Sequence, residues 1–354
     1  MMDKRYFSEK VVEWYTSNSR KLPWRTTKDP YKIWLSEIIL QQTRVIQGLP
    51  YYNRFIEKFP TVSALAAASE QEVLRLWQGL GYYTRARNLH KCAKTVVTDF
   101  NGSFPDTFEG LKKLPGIGDY TAAAIASIAF GEPVAVVDGN VFRVLARIFG
   151  IETEINSPEG KKQFTKLANE LMGHHHPDLH NQAVMEFGAL FCTPKNPQCE
   201  QCTFKNSCFA NQNNLQAALP VKIKAKAARK RYLYYIVVKK GQSLMMKKRE
   251  QKDIWHGLYD FMVIEKTKSV KTAILLEELY PGSNNAIALK EVEVSDEYRH
   301  VLSHQIILAR FIIVPHKKEM TLSDNSLKFF TPQKISELPK PVLISKFLHD
   351  YQFL

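Results

Sequence analysis

The stretch LPGIGDYTAAAIASIAFG, residues 114–131, is the strongest indicator of the fold. Gly116 and Gly118 flank Ile117 in what reads as a tight hairpin, and an apolar run begins directly after it. Backbone N–H groups at such a hairpin and helix start favour an anion. Because its charge would repel an anion, we expect Asp119 to point inward as a helix cap. The segment predicts either a turn that merely joins two helices or a hairpin that binds an anion such as a phosphate.

Two carboxylates stand out around this segment. Asp138 follows an apolar run in PVAVVDGNVFRVLAR, residues 133–147, and precedes Gly139 and Asn140. It is either a simple N-cap of the next helix or a catalytic group. Glu37 lies in IWLSEIILQQT, where it either faces solvent or sits in an apolar pocket. In a pocket, burial would raise its pKa and keep it protonated, as a general acid requires.

The composition divides the chain into a helical part and a strand-rich part. Helical spacing, an Asp29–Pro30 helix start and glycines at helix ends predict an all-α domain over residues 1–210. Residues 211–230 are polar and then basic, which is typical of a linker. Short β-rich runs around one helix predict an α+β domain over residues 231–354.

The overall charge narrows the class of partner. The chain carries a net charge of +14 over 354 residues, which favours a polyanionic partner, either nucleic acid or an anionic membrane surface. No apolar run approaches the ~20 residues of a membrane-spanning helix. The N-terminus lacks the pattern of a secretory signal. We therefore expect a cytoplasmic protein without a membrane partner.

Four of the five cysteines are clustered. Their spacing is C-x6-C-x2-C-x5-C, whereas Cys92 lies far away. Four thiolates at such spacing can close around zinc or around an iron–sulfur cluster, and the spacing leaves both open. The candidate metal ligands are Cys192, Cys199, Cys202 and Cys208.

These motifs together resemble the helix–hairpin–helix glycosylases of the endonuclease III superfamily, in particular adenine DNA glycosylases of the MutY type. The resemblance includes LPWR…DPYKIWLSEIILQQTRV within residues 22–45, the stretch GLGYYTRARNLHKCA from Gly79, and the cysteine spacing. It implies that the four cysteines hold one 4Fe–4S cluster. It also implies a monomer that acts on double-stranded DNA in the bacterial nucleoid.

The resemblance assigns roles to the motif residues. Glu37 would protonate the adenine, and Asp138, followed by Asn140, would stabilise the positive charge on the sugar. Tyr120 stands where strand-nicking relatives have a lysine, so no imine can form and a monofunctional glycosylase is expected. The family pattern also makes Tyr120 a hydrogen-bonding partner of Asp138.

Further positions match residues that contact the base or enter the duplex in that family. Gln182 falls where some members have a glutamate near the adenine. The alternative for the aromatic and aliphatic members is ordinary core packing. The set comprises Trp24, Arg25, Gln42, Leu80, Tyr82 and Gln182.

The C-terminal part resembles the Nudix-like domain that reads the oxidised guanine in this family. The hydrolytic Nudix signature is missing, so no pyrophosphatase activity is expected. The recognition segment matches at Ser303 and His304, but Leu302 replaces the family's Phe. The implied substrates are A:8-oxoguanine and A:G mispairs. The rival hypotheses are an endonuclease III-like enzyme for oxidised pyrimidines and a non-catalytic iron–sulfur DNA-binding protein.

Overall fold

The computed structural model describes residues 3–172, 176–223, 228–279, 292–302, 304–316, 324 and 326–354. The chain divides into two compact units. The first comprises Met1–Ala67 and Asn88–Lys224, and the second comprises Ala68–Arg87 and Ala225–Leu354. The segment 68–87 therefore packs with the C-terminal part, although the sequence predicted it within the helical domain. The boundaries 1–210, 211–230 and 231–354 stay predictions.

The N-terminal half is helical, as predicted. No strand occurs among the described residues up to 223. The helices are α1 (Lys4–Asn18), α2 (Pro30–Leu40), α3 (Val45–Lys58), α4 (Val62–Ala67), α5 (Glu70–Leu76), α6 (Thr84–Phe100), α7 (Phe108–Leu111), α8 (Asp119–Phe130), α9 (Gly139–Phe149), α10 (Pro158–Met172), α11 (Pro177–Leu190) and α12 (Phe209–Gln212).

The predicted helix boundaries have the expected local causes. Asp29 caps α2 by accepting the Tyr31 N–H at 2.9 Å. Gly131 and Gly150 end α8 and α9 with φ of 73° and 69°, a conformation that glycine adopts without steric cost. One hydrophobic cluster of the first unit lies between α1, α9, α10 and α11 and fixes α9 against α11. The largest fully buried members of this cluster are Phe7, Phe164, Phe187 and Phe204.

The second unit combines a sheet with helices, so the predicted α+β class is confirmed. Its described residues form β1 (Arg229–Lys240), β2 (Ser243–Lys248), β3 (Tyr259–Asp260), β4 (Met262–Lys266), α13 (Thr272–Leu279), β5 (Glu293–Val294), β6 (Tyr298–Val301), β7 (Gln305–Pro315), β8 (Lys328–Phe330), α14 (Pro332–Glu337) and α15 (Val342–Asp350).

Strands β1 and β7 are the parallel centre of the sheet. Tyr235 pairs with Phe311 in register, and β2 and β4 flank β1 in antiparallel pairing. Residues of β1 are buried on both faces, which explains its nearly continuous apolar run. On one face Phe311 stacks on Phe347 of α15, with ring centroids 3.8 Å apart. Within the described ranges, no helix is both long and apolar enough to cross a membrane.

Candidate active site

Glu37 lies in α2 and is buried, with 8% of its surface exposed. The Tyr120 hydroxyl donates to its Oε2 at 2.5 Å. Burial raises the pKa of Glu37 to about 7, and the negative charge of Asp138 adds to this rise. The hydrogen bond from Tyr120 and the positive charge of Arg25 act in the opposite direction. A carboxyl with this pKa is available as a proton donor near neutral pH.

Tyr120 stands in the first turn of α8, directly after the hairpin. The expected hydrogen bond to Asp138 is not the one in the structure, because the hydroxyl donates to Glu37 and also contacts Met185 Sδ at 3.8 Å. Burial and the charges of Glu37 and Asp138 raise the pKa of Tyr120 well above its usual value. Tyr120 therefore stays neutral and lies within the electrostatic influence of both carboxylates.

Asp138 is the N-cap of α9. Its Oδ1 accepts the N–H groups of Asn140 and Val141 at 2.8 Å each, and its Oδ2 accepts Asn140 Nδ2 at 2.7 Å. Burial raises the pKa of Asp138, while these hydrogen bonds and Arg143 oppose the rise. The capping role does not isolate Asp138 from the site, because its charge also raises the pKa of Glu37.

A chain of hydrogen bonds links Asp138 to the cysteine segment. Arg143 Nη2 donates to Asn140 Oδ1 at 2.9 Å, and Arg143 Nε donates to the Cys192 carbonyl at 2.8 Å. The close packing needs Gly188, because a Cβ there would lie 2.7 Å from Asn140 Cβ. Sequence reasoning missed Arg143, although an arginine within the mostly apolar run VFRVLAR was a usable signal.

Arg25 is engaged in a buried ion pair. Its Nη1 and Nη2 contact the Glu186 carboxylate at 2.8 and 2.6 Å, and Arg20 binds the same carboxylate. Burial would raise the pKa of Glu186, but the hydrogen bonds from Arg25 and Arg20 outweigh it and lower the pKa to about 2. Glu186 and Arg20 were missed. A single acid in the apolar run AVMEFGAL was the available signal.

Two more predicted pocket residues lie in the same unit. Trp24 is buried and packs edge-on against Tyr52, with ring centroids 5.0 Å apart. Gln182 accepts a hydrogen bond from the Tyr15 hydroxyl at 3.2 Å. Both contacts are of the kind found in a protein core. Their predicted roles beside the base stay predictions.

Two of the residues predicted to enter the duplex, Gln42 and Tyr82, have unusual backbone geometry. Gln42, in the turn after α2, is exposed with φ of 54°. In the second unit, Tyr82 is 40% exposed with φ of 49°, whereas Leu80 is buried. Left-handed backbone is uncommon for such residues and is often found at functional loops. The backbone and exposure of Gln42 and Tyr82 suit an insertion role, whereas the burial of Leu80 is typical of core packing; all three assignments stay predictions.

The hairpin between α7 and α8 depends on Gly116. Its φ is 77°, and an added Cβ would lie 2.7 Å from Asn88 Cβ. Ile117 is buried, and Gly118 is the exposed N-cap of α8 without a side-chain cap. The expectation that Asp119 caps the helix is wrong. Its side chain is 82% exposed and pairs with Lys112 at 3.1 Å, where the lysine neutralises its charge.

All four clustered cysteines line one cavity. The Phe204 N–H donates to Cys202 Sγ at 3.4 Å, and Arg147 Nη1 lies 3.5 Å from Cys192 Sγ. Burial raises the pKa of the Cys202 thiol to about 12. Among the described residues, no three His, Cys, Asp or Glu side chains are placed to hold a metal ion.

The C-terminal recognition segment lies between β6 and β7. The Leu302 N–H donates to the Gln305 carbonyl at 2.9 Å, and the His304 carbonyl accepts the Arg229 N–H at 3.1 Å. Ser303 lies outside the described residues. The assignment of these positions to oxidised-guanine recognition stays a prediction.

Comparison with known proteins identifies the family. Residues 35–171 match the model of the HhH-GPD superfamily of base excision DNA repair proteins, and residues 233–350 match the NUDIX domain. The adenine DNA glycosylase of Buchnera aphidicola subsp. Baizongia pistaciae is 34% identical over 342 residues, which cover 95% of this chain and 94% of that protein. The chain belongs to the adenine DNA glycosylase family. It is therefore a glycosylase of base excision DNA repair.

Other relatives of this glycosylase agree. The human adenine DNA glycosylase is 44% identical over 222 residues, covering 60% of this chain and 41% of the human protein. A solved structure of a thermostable thymine-DNA glycosylase matches with a TM-score of 0.56 and 30% identity, covering 59% of this chain and 97% of that one. An endonuclease III–DNA complex matches at 23% identity and a TM-score of 0.53, which supports the fold alone.

Proposed function

We propose that this family member removes adenine mispaired with 8-oxoguanine or guanine by hydrolysing its N-glycosidic bond without cutting the strand. The observation that carries this proposal is a pair of carboxylates, Glu37 in α2 and Asp138 at the start of α9. Glu37 is buried with a pKa of about 7, and the charge of Asp138 contributes to that value. Acid-assisted cleavage of a glycosidic bond requires two carboxyl groups in different environments, one that donates a proton and one that is ionised.

Glu37 is the proton donor in this mechanism. The adenine nucleotide must leave the base stack before any side chain can reach it. Adenine is a poor leaving group until its ring nitrogen N7 is protonated. The Tyr120 hydroxyl holds Glu37 in one orientation, so the acidic proton can be presented to the base. A pKa close to the working pH suits proton transfer in either direction.

Asp138 stabilises the positive charge that develops on the sugar when the bond breaks. Its carboxylate is held by two backbone N–H groups and the Asn140 amide, which favour the ionised form. A fixed anion beside a cation-like sugar lowers the energy of the transition state. A water molecule then completes hydrolysis and leaves an abasic site. Tyr120 cannot form an imine, so no strand cleavage accompanies the reaction.

We further propose that Cys192, Cys199, Cys202 and Cys208 hold one 4Fe–4S cluster. The donor set fits, because four thiols line one cavity and an amide N–H points at Cys202 Sγ. When bound, the cluster supplies a constraint that orders the segment 192–208 and takes no part in base excision.

A visible absorption band tests the cluster independently of activity. We expect the band in the purified protein and its loss in Cys199→Ser. A colourless protein that contains zinc would contradict the assignment. Cys92→Ser is the matched control, since Cys92 is buried in α6 and is not among the residues that line the cavity.

The proposed substrate is duplex DNA bound by a monomer in the cytoplasm or nucleoid. The net charge of +14 favours a polyanion, and the hairpin at Gly116, Ile117 and Gly118 is the proposed phosphate contact. Three residues are assigned to duplex insertion, and three to the oxidised guanine. They are Gln42, Leu80 and Tyr82 for the first role, and Leu302, Ser303 and His304 for the second.

Strand cleavage assays with three duplexes test the activity. The duplexes contain A opposite 8-oxoguanine, A opposite G, or an oxidised pyrimidine, each treated with and without alkali. We expect cleavage of the adenine strand after alkali only, and its loss in Glu37→Gln and Asp138→Asn. Glu9→Gln removes an exposed acid of α1 and is the control for loss of a carboxylate.

Two results would contradict the proposal. Cleavage of the pyrimidine duplex without alkali would favour an endonuclease III-like enzyme. Binding of all duplexes without any cleavage, by protein fully loaded with its cluster, would favour a non-catalytic DNA-binding protein.

A further inference from the structure

The loop Gly79–Tyr82 is clamped at both ends by one residue of the C-terminal part. Gln78 precedes the loop, and its Oε1 accepts the backbone N–H of Lys340 at 3.3 Å. Tyr83 follows the loop, and its hydroxyl donates to the Lys340 carbonyl at 3.4 Å. The backbone N–H and the backbone carbonyl of Lys340 thus bind the two residues that flank the loop; this arrangement is called the clamp below.

Lys340 is itself firmly held. It is 2% exposed, and its Nζ donates to the carbonyls of Ile335 at 2.7 Å and Leu338 at 3.0 Å, at the end of α14. A buried ammonium is stable only when fixed acceptors replace its hydration. Gln78 also donates to Ser345 Oγ of α15 at 3.0 Å, which adds a second attachment point. The anchor is therefore rigid on the C-terminal side.

The loop needs such support because its backbone is strained. Gly81 has φ of 72° and Tyr82 has φ of 49°, so a tyrosine occupies the left-handed region beside a glycine. Arg85 Nη2 lies 3.3 Å from the carbonyls of Leu80 and Gly81, and its guanidinium lies 5.7 Å from the Tyr82 ring centroid. The loop is supported from within by Arg85 and at both ends by Lys340.

We propose that Gln78, Tyr83 and Lys340 are positioning residues that fix the loop of Leu80 and Tyr82, so that the exposed Tyr82 is held for entry into the duplex while Leu80 packs beneath it. This inference rests on the proposed function, which assigns duplex insertion to those two side chains. It gives the C-terminal part a second role, separate from reading the oxidised guanine. The clamp acts on every adenine mispair, because it controls the loop and contacts no particular partner base.

The test compares Tyr83→Phe and Gln78→Ala with a matched control. Tyr298→Phe removes another tyrosine hydroxyl of the same unit, one that donates to Asp350 at 2.9 Å. Amide hydrogen exchange, followed by mass spectrometry, reports on loop order in the absence of DNA. We expect faster exchange at residues 79–83 in both clamp variants and unchanged exchange there in Tyr298→Phe.

Single-turnover excision measures the consequence for the reaction. Loss of one buried hydrogen bond predicts a rate about threefold to tenfold lower, equally on A:G and A:8-oxoguanine duplexes. Unchanged exchange at residues 79–83 in both clamp variants, or a rate loss confined to A:8-oxoguanine, would overturn the inference. Absence of excision by the unsubstituted protein would instead refute the proposed function, while the exchange experiment would still test the clamp.

Discussion

The Tyr120 hydroxyl and the Glu37 carboxylate are 2.5 Å apart, so the first turn of α8 is hydrogen-bonded to the last turn of α2. This bond joins the residue that follows the hairpin to the proposed proton donor. Any shift of the hairpin is therefore transmitted to the orientation of Glu37. The hydrogen bond makes Tyr120 a determinant of the pKa of Glu37, which it lowers.

The rate of excision should depend on the protonation of Glu37. Its pKa is raised to about 7 by burial, so the acid form dominates below pH 7 and declines above it. We expect single-turnover rates to be level near pH 6 and to fall about tenfold per pH unit above pH 8. A rate that stays constant from pH 6 to pH 9 would exclude Glu37 as the donor.

Removing the Tyr120 hydroxyl should move this pH profile. The hydrogen bond from Tyr120 lowers the pKa of Glu37, so Tyr120→Phe is expected to raise that pKa further. The midpoint of the rate profile then shifts to higher pH, while the maximum rate falls because Glu37 is less well oriented. The measurement is a single-turnover pH series on both proteins. Tyr52→Phe, a change elsewhere in the same unit, should leave the midpoint where it is.

The ion pair of Glu186 with Arg25 and Arg20 should contribute strongly to stability. Glu186 is fully buried, and Glu186→Gln leaves two arginines without their counter-ion. We expect a loss of about 3 kcal/mol in the free energy of unfolding, measured by denaturant titration. Glu170→Gln removes an exposed acid that pairs with Lys4 and should change stability by less than about 1 kcal/mol.

The ion pair of Glu186 with Arg25 and Arg20 should lose its stabilising effect at acid pH. The pKa of Glu186 is lowered to about 2, from an unfolded value of 4.5. Its stabilisation is therefore complete above pH 4.5 and is lost as the pH falls toward 2. The stability difference between the unsubstituted protein and Glu186→Gln should shrink over that window. A difference that stays constant between pH 5 and pH 3 would contradict this assignment.

The hairpin should tolerate a methyl group at one glycine and not at the other. Gly116→Ala places a Cβ 2.7 Å from Asn88 Cβ at a left-handed position, so a cost of about 2 kcal/mol and weaker binding to duplex DNA are expected. At Gly118 an added Cβ meets no atom within 4 Å, and Gly118→Ala is the matched control for folding. Equal stability of the two variants, by thermal unfolding, would show that the crowding at Gly116 is unimportant.

Features that depend on residues adjacent in the sequence could be predicted from the sequence alone. The helix start at Asp29, the helix ends at Gly131 and Gly150, and the strand rhythm after residue 228 all follow from local backbone preferences. The same holds for Asp138 as a helix cap, whereas its proposed role in stabilising the sugar cation came from the resemblance to the family. These signals are short-range, so a single sequence contains them in full.

Pairings between distant segments came from packing. The acceptor of the Tyr120 hydroxyl, the partner of Arg25 and the attachment of residues 68–87 to the C-terminal part each join positions far apart in the chain. Local preferences predict where a helix or strand begins and ends. They do not predict which remote group a side chain contacts, because that depends on how the helices pack in three dimensions. Sequence therefore identified Glu37 as a candidate acid, whereas its burial among its neighbours is the cause of a pKa suited to donating a proton.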